Sequence, residues 1–545
     1  MERRTLLAVA AGLAATATAC SGPGSGTESG TGGGGQSDTG AGSGTPDAGE
    51  APGKGTSPAP DSTAAAASAP PRWDALARGL DGGLVRPGDA GYATARQLYN
   101  TRYDHLKPAA VAYAAGEDDI RECLAFARTH RTSVSIRGGG HSYAGWSSGN
   151  GRLVIDVSRL DSLSYTGTET RIGAGARLSA VYRALAARGR TIPAGSCPTV
   201  GIAGLTLGGG HGVTSRAYGL TCDSLLSATV VTADGRRLTA DAQRNQDLFW
   251  ALRGAGNGNF GIVTELRFRT HPAPEVVVAD ASWPWSKAEA LLAAWQQWGP
   301  EQPDEIWSAL HLAAGPGGST PTLSLSVLSL GTEQDLKNAI DRLADGPGGP
   351  GSARSVSVRR RGYEEAMLGY AGCADYPEEQ CGLPGTTPGR DPRGALGRET
   401  YAAASDFFDR SLSAAGRRAL TTAVEGFTRL PAAQGGGGSV ALTALGGAVN
   451  RVDPGATAFV HRRSRMLAQY IGAWRPGIEG TRQQAWLKNA HGSMRRYASG
   501  AAYQNYVDAT LTDWRAAYYG TAADRLSGLK RQYDPDRLFD FPQAL

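Results

Sequence analysis

Two glycine-rich stretches carry the residues best suited to chemistry. The first, Arg137-Gly138-Gly139-Gly140-His141-Ser142, follows a short run at 134–137 that reads as a strand. Three glycines free the backbone to curl until its N–H groups converge, an arrangement that holds a phosphate. Arg137 would add charge, and His141 would sit beside whatever the loop holds. Taken alone, the stretch reads better as a glycine turn followed by a structural histidine. The second stretch runs Ala194-Gly195-Ser196-Cys197-Pro198-Thr199-Val200-Gly201 and on through Gly204-Leu205-Thr206-Leu207-Gly208-Gly209-Gly210-His211-Gly212. It is equally rich in backbone donors and has a cysteine at its entrance. It lacks the Lys-Ser/Thr ending of a nucleotide P-loop and the strand–GxGxxG–helix setting of a dinucleotide turn. A metal bound by Cys197, His141 and His211 is the rival reading. Neither C-x-x-C nor H-x-x-x-H spacing supports it, so no metal is expected.

These loops need elements to hold them. Residues 110–114 read as a small apolar strand, and Glu117-Asp118-Asp119 open a helix with acids at its N-terminus. Ile120, Cys123, Leu124 and Ala127 share one helical face, as do Leu178, Val181, Tyr182 and Leu185 ahead of Gly189. Strands are expected at 153–157 and 228–232, and at 262–268, where Ile262, Thr264, Leu266 and Phe268 alternate with polar residues. After the proline-containing segment 271–274 the rhythm changes. Helices at 286–298 and 332–343 bracket strands at 306–313 and 322–330, which reads as a separate α+β unit with an antiparallel sheet, running to about 490. The last fifty residues are dense in aromatics and charges and read as folded.

The chain has 545 residues, a net charge of +5 spread along its length, and 77 glycines. No basic block interleaves with aromatics, so nucleic acid is not an expected partner. After the first twenty residues no apolar run reaches membrane-spanning length. Residues 1–20 read as an export signal, and Arg3-Arg4 suggests the twin-arginine route. Ala17-Thr18-Ala19-Cys20 resembles a lipoprotein cleavage box, with Ala17 replacing the usual larger aliphatic residue. A lipid on Cys20 would be the only membrane attachment, with the protein extracellular or anchored to the outer face of the membrane. Residues 21–94 are assigned to a disordered Gly/Ser/Thr/Pro-rich tether, because such composition buries too little apolar area to offset chain entropy. Cys373 and Cys381 bracket a short polar loop and are expected to pair in an oxidising compartment. Cys123 and Cys222 read as buried thiols and stay unassigned.

The two glycine loops together are far more specific than either alone. RGGGHS followed by GSCPTVGIAGLTLGGGHG resembles the berberine-bridge-enzyme-like FAD-linked oxidases, within the vanillyl-alcohol-oxidase, PCMH-type flavoproteins. The resemblance continues in RAYGLTCD at 216–223, DLFWALRGAGNGNFGIV at 247–263, GGAVN at 446–450, YQNYVD at 503–508 and YDPDRLF at 533–539. It implies an α+β, two-lobed protein, with a PCMH-type FAD-binding domain at 95–274 and a return to it at 491–545. The substrate domain would be 275–490, with helices covering its antiparallel sheet.

By the same resemblance His141 matches the histidine bonded to a flavin ring methyl, and Cys197 the cysteine bonded to the ring's other edge in doubly linked members. Arg137, Gly138, Gly139, Gly140, Ser142, Val200, Gly201, Gly204, Leu205, Thr206, Gly208, Gly209, Gly210, Asp223, Gly261, Ile262, Val263 and Asn505 would complete the FAD site. Val200 matches the position beside the oxygen-reactive face, where a small residue favours O2 as acceptor and hydrogen peroxide as product. Tyr506 matches the catalytic tyrosine, with Tyr503 beside it. Many relatives carry a second tyrosine after the glycine loop, where this chain has His211. The implied reaction is two-electron oxidation at the hydroxyl of a sugar, oligosaccharide or glycosylated natural product by a monomer. A dehydrogenase or oxidative ring closure is the alternative. A tethered solute-binding lipoprotein would share the leader and tether but has no need of the paired loops.

Overall fold

A computed structural model describes residues 71–545, so the expected export signal, the Cys20 lipid site and most of the expected tether lie outside the described residues. The tether as assigned to residue 94 is corrected at its C-terminal end. Helix Trp73–Gly79 packs on helix Glu117–His130, with Leu76 buried and the Trp73 and Phe126 rings 4.8 Å apart. Trp73 and Leu76 supply the apolar face that the low-complexity composition upstream obscures.

The first lobe holds two larger sheets and a two-stranded pairing of Arg190–Thr191 with His271–Pro272. In the four-stranded sheet, strands Ala110–Tyr113, Leu153–Asp156 and Val134–Arg137 run parallel, with Leu84–Val85 antiparallel at the edge. These parallel strands are covered on both faces, which is why they read as continuous apolar runs. Helix Glu117–His130 begins with three acids, ends at Arg131 in the left-handed region and buries Ile120, Cys123, Leu124 and Ala127. The second sheet has five antiparallel strands in the order Leu163–Thr166, Glu169–Gly173, Ile262–Arg269, Leu225–Val231 and Arg237–Asp241. One core runs through both sheets and takes in Leu526, Leu529, Tyr533 and Phe539 from the end of the chain. The C-terminal segment thus packs into this core.

The second lobe is a seven-stranded antiparallel sheet. Its strand order is Ser355–Arg361, Val276–Trp283, Thr322–Ser329, Ile306–Ala314, Gly437–Ala444, Met466–Ala473 and Tyr401–Phe408. Because side chains alternate along a strand, each strand feeds both faces. On one face Leu310, Leu325, Val440, Leu442, Ala468 and Tyr470 form a core with helices Ala288–Trp298, Glu333–Asp345, Ala414–Phe427 and Thr481–Met494. On the other face Trp307, Ala309 and Leu328 join the core of the first lobe. The Cys373–Cys381 disulfide forms, with Cα atoms 5.7 Å apart, and Cys123 and Cys222 are buried free thiols.

Candidate active site

Strand Val134–Arg137 delivers its glycine loop directly against the second one. A Cβ on Gly139 would stand 2.2 Å from the Gly201 nitrogen, and one on Gly201 would stand 2.5 Å from the Gly139 nitrogen. Backbone touches backbone here, and a methyl group on either residue would force the loops apart. This contact brings His141 and Cys197 to one cavity of about 370 Å³. Gly138, Gly139, Gly140, Ser142, Val200, Gly201, Gly204, Leu205, Gly261, Val263 and Asn505 line it as well. Glycine backbone along this cavity lets N–H groups approach a phosphate closely, so the residues present suit FAD.

The His141 ring is stacked on Tyr99, with centroids 4.0 Å apart and planes 18° apart, and its Nε2 lies 2.8 Å from the Thr199 hydroxyl. Burial, with the nearby Arg177 cation, pushes its pKa down to about 3, so the imidazole is neutral. Tyr99 belongs to a seam between the lobes. Beside it the Asn100 amide donates to the Tyr401 carbonyl at 2.8 Å, and the Thr101 N–H donates to the Glu399 carbonyl at 2.8 Å. Burial raises the Glu399 carboxyl to about 7.

The segment 503–506 is fixed to the second glycine loop by its own side chains. The Gly210 N–H donates to the Tyr503 hydroxyl at 2.9 Å, and the Asn505 amide donates to the Leu205 carbonyl at 2.9 Å and to the Tyr503 hydroxyl at 3.0 Å. A Cβ on Gly208 would strike the Asn505 oxygen at 2.0 Å, so the close fit demands glycine there too. The Tyr503 N–H donates to Ser405 of the large sheet at 2.9 Å. These bonds place the Tyr506 hydroxyl 2.7 Å from His211 Nε2. Tyr143 stacks on Tyr506 at 5.4 Å and accepts a hydrogen bond from the Gln469 amide at 2.7 Å. Burial lowers the His211 pKa to about 4 and leaves its Nδ1 without a partner. Burial, with Tyr143 and Tyr503 alongside, raises the Tyr506 pKa well above its usual value. The pair is therefore a neutral imidazole facing a neutral phenol.

Several residues expected at the cofactor stand elsewhere. Arg137 is turned away from the cavity into a buried ion pair with Asp156. An unpaired guanidinium is costly to bury, and the neighbouring parallel strand supplies the carboxylate. Asp223 accepts two bonds from Arg462, at 2.7 and 2.8 Å, and caps the Leu220 N–H. Thr206 returns its hydroxyl to the Ile202 carbonyl inside a short helix, and Ile262 is buried in its strand. Gly208, Gly209 and Gly210 shape the turn before His211 without lining the cavity; Gly209 and Gly210 adopt φ values of 114° and 79°. The hydroxyl of Tyr503 holds the glycine loop in place. Sequence reasoning missed Tyr99, Tyr143, Trp307, His311, Tyr401 and Gln469, all of which frame the site. Among the described residues no cluster is suited to a metal.

Comparison with known proteins accords with this geometry. Residues 108–241 match the family described as FAD binding domain, and residues 502–545 the one described as berberine and berberine like. The chain is 32% identical over 472 residues to the uncharacterized FAD-linked oxidoreductase YgaK of Bacillus subtilis, covering 86% of this chain and 97% of that one. It is 30% identical over 468 residues to a chitooligosaccharide oxidase of Gibberella zeae, covering 82% and 89%. The solved structure of Physcomitrella patens BBE-like 1 superposes with a TM-score of 0.78 at 30% identity, covering 87% of this chain and 98% of that one. With its glycine cradle and this extent of likeness, the chain belongs to the berberine-bridge-enzyme-like family of FAD-dependent oxidoreductases.

Proposed function

We propose that this enzyme oxidises a hydroxyl of a sugar, oligosaccharide or glycosylated natural product and passes the electrons to O2. In balance, the carbinol group loses two hydrogens and becomes a carbonyl, and one O2 takes them up as hydrogen peroxide. The observation that carries the reading is the 2.7 Å contact between Tyr506 and His211 inside the cavity framed by the two glycine loops. Bound FAD supplies the hydride acceptor. Tyr506 takes the hydroxyl proton from substrate and passes its own to neutral His211, so no free phenolate has to form in a buried site. Tyr143, fixed by Gln469, keeps the Tyr506 ring in its plane. Val200 keeps the cavity wall small where oxygen must approach. The chitooligosaccharide oxidase among the relatives lends support to a saccharide substrate.

The same reading includes covalent attachment of FAD through His141 and through Cys197. Neutral His141 has the nucleophilic form that bonding to the ring requires, and with Nε2 on Thr199 its Nδ1 is the nitrogen left for that bond. An exported enzyme meets no FAD supply, so a bonded cofactor suits the leader read at residues 1–20. Acid precipitation of the purified yellow protein tests the attachment. The colour is expected to stay with the pellet in the wild type and in His141→Ala and Cys197→Ala singly. In the double variant it should pass to the supernatant. Full release of FAD from the wild type would overturn the covalent reading.

A further inference from the structure

His141 is braced from a side that substrate oxidation does not use. The Tyr99 ring lies flat against its imidazole, with centroids 4.0 Å apart and planes 18° apart. Tyr99 is itself buried, packed among Leu383, Tyr401, Ala403 and Ile471 of the second lobe. Its backbone N–H donates to the Gly140 carbonyl at 3.0 Å, one residue before His141. Its hydroxyl donates to the Glu399 carboxyl. The residues on either side of it are tied to the second lobe as well. Arg398 Nε donates to the Leu98 carbonyl at 2.8 Å, and the Asn100 amide donates to the Tyr401 carbonyl at 2.8 Å. Both lobes therefore fix where this ring stands.

A side chain at the end of a glycine loop has several staggered rotamers open to it. Here Tyr99 covers one face of the imidazole and Thr199 engages its Nε2 at 2.8 Å, which keeps one orientation and leaves Nδ1 for the flavin methyl. Attachment makes one C–N bond and breaks one imidazole N–H and one methyl C–H. The two hydrogens and their electrons end on O2, which leaves as hydrogen peroxide. Such a step depends on alignment, and a misplacement of about 1 Å can cost on the order of 10²-fold. Hydride transfer from substrate makes no such demand on His141.

We propose that Tyr99 is a positioning residue for cofactor attachment. Its ring, clamped in the seam between the lobes, holds the His141 imidazole in the orientation that bonds the flavin methyl. This rests on the covalent reading set out above and adds to it the group that orients the nucleophile. The second lobe thereby takes part in attachment as well as in substrate binding.

The test uses the full chain carrying Cys197→Ala, in which His141 is the single tie to the flavin. The readout is the share of flavin that stays with the pellet after acid precipitation, checked by the mass of the peptide that holds His141. Adding Tyr99→Phe keeps the ring face and should leave that share within about twofold. Adding Tyr99→Leu, or Tyr99→Met as a second variant of similar bulk, removes the flat face and should lower the share at least about fivefold. With Cys197 restored, Tyr99→Leu should carry as much total flavin per protein as the wild type. Equal shares in the Phe, Leu and Met variants would overturn the proposal, as would a loss in Phe as large as in Leu. A fall in total flavin with Cys197 present would mark Tyr99 as a packing residue and overturn it too. If the Cys197→Ala protein releases all its FAD with Tyr99 in place, attachment through His141 fails and takes this inference with it.

Discussion

The two walls of the cavity are made of different material. The cofactor side is mostly backbone, two loops meeting glycine to glycine at 139 and 201. The substrate side is side chains, presented by alternate residues of a sheet whose other face is fixed by helices. Where backbone meets backbone, at Gly139 and Gly201, the wall tolerates no side chain, because there is no space for one. A side-chain wall can be rebuilt position by position while the sheet beneath stays the same. One scaffold can thus keep its cofactor while its substrates change.

That contrast can be broken most severely at Gly201. Its φ of −79° suits any residue, so lack of space alone demands glycine. Gly201→Val is expected to part the loops and yield protein without FAD, read as the ratio of flavin to protein absorbance. Ala309→Ser on the opposite wall should leave that ratio at the wild-type value. Equal loading in both variants would remove the distinction between the walls.

The next largest effect belongs to Tyr506→Phe. Flavin attachment and thermal stability should survive, while reduction by substrate slows by about 10²–10⁴-fold, the usual worth of general-base catalysis. Unchanged reduction would exclude Tyr506 and turn attention to His211. His211→Ala should slow reduction less, by about tenfold, and move the pH profile upward. The sign follows from the two groups. Neutral His211 is present above its pKa of about 4, so wild-type reduction persists from there upward and fails as acid protonates the ring. Without it Tyr506 must ionise unaided, and its pKa is raised by burial. A stopped-flow pH series with no upward shift would show that His211 only lines the pocket. The smallest effect concerns oxygen. Val200→Leu should slow reoxidation of the reduced enzyme in air a few-fold and leave its reduction by substrate unchanged. Slow reoxidation already in the wild type, with fast turnover on a dye, would mark a dehydrogenase.

The sequence made the cofactor wall legible and left the substrate wall obscure, for the same physical reason. Glycines forced by close approach recur as fixed strings, so RGGGHS and GSCPTVG could be read together, and His141, Cys197 and Val200 were located from them. The pairing of His211 with Tyr506 was also within reach, because each stands in a segment with its own pattern. Trp307 and His311 carry no such mark. Alternation along 306–314 shows that a strand has two faces, but not which one meets a cavity, since both are apolar and buried. Arg137 was misplaced because a cation beside a glycine loop looks like phosphate recognition, and Asp223 because it came with the family-like segment 216–223. Their partners, Asp156 and Arg462, come from elsewhere in the chain, and only the fold unites them. Tyr99 lies well upstream of the first motif, with strand Ala110–Tyr113 and helix Glu117–His130 between them, and gave no signal of its stacking on His141.

The seven-stranded sheet also has a bearing on how the protein is made. One of its faces is closed by its own helices, but Trp307, Leu328, Phe407 and Leu467 on the other are covered only by segments outside the sheet, including Leu220, Phe459 and Tyr503. A chain in which the lobes have not yet met would present that apolar face to its neighbours, and patches of this kind promote aggregation. The second lobe is inserted between two portions of the first, so docking must await synthesis of the final segment. The two halves should therefore unfold in a single cooperative transition, and the inserted lobe expressed alone should be poorly soluble.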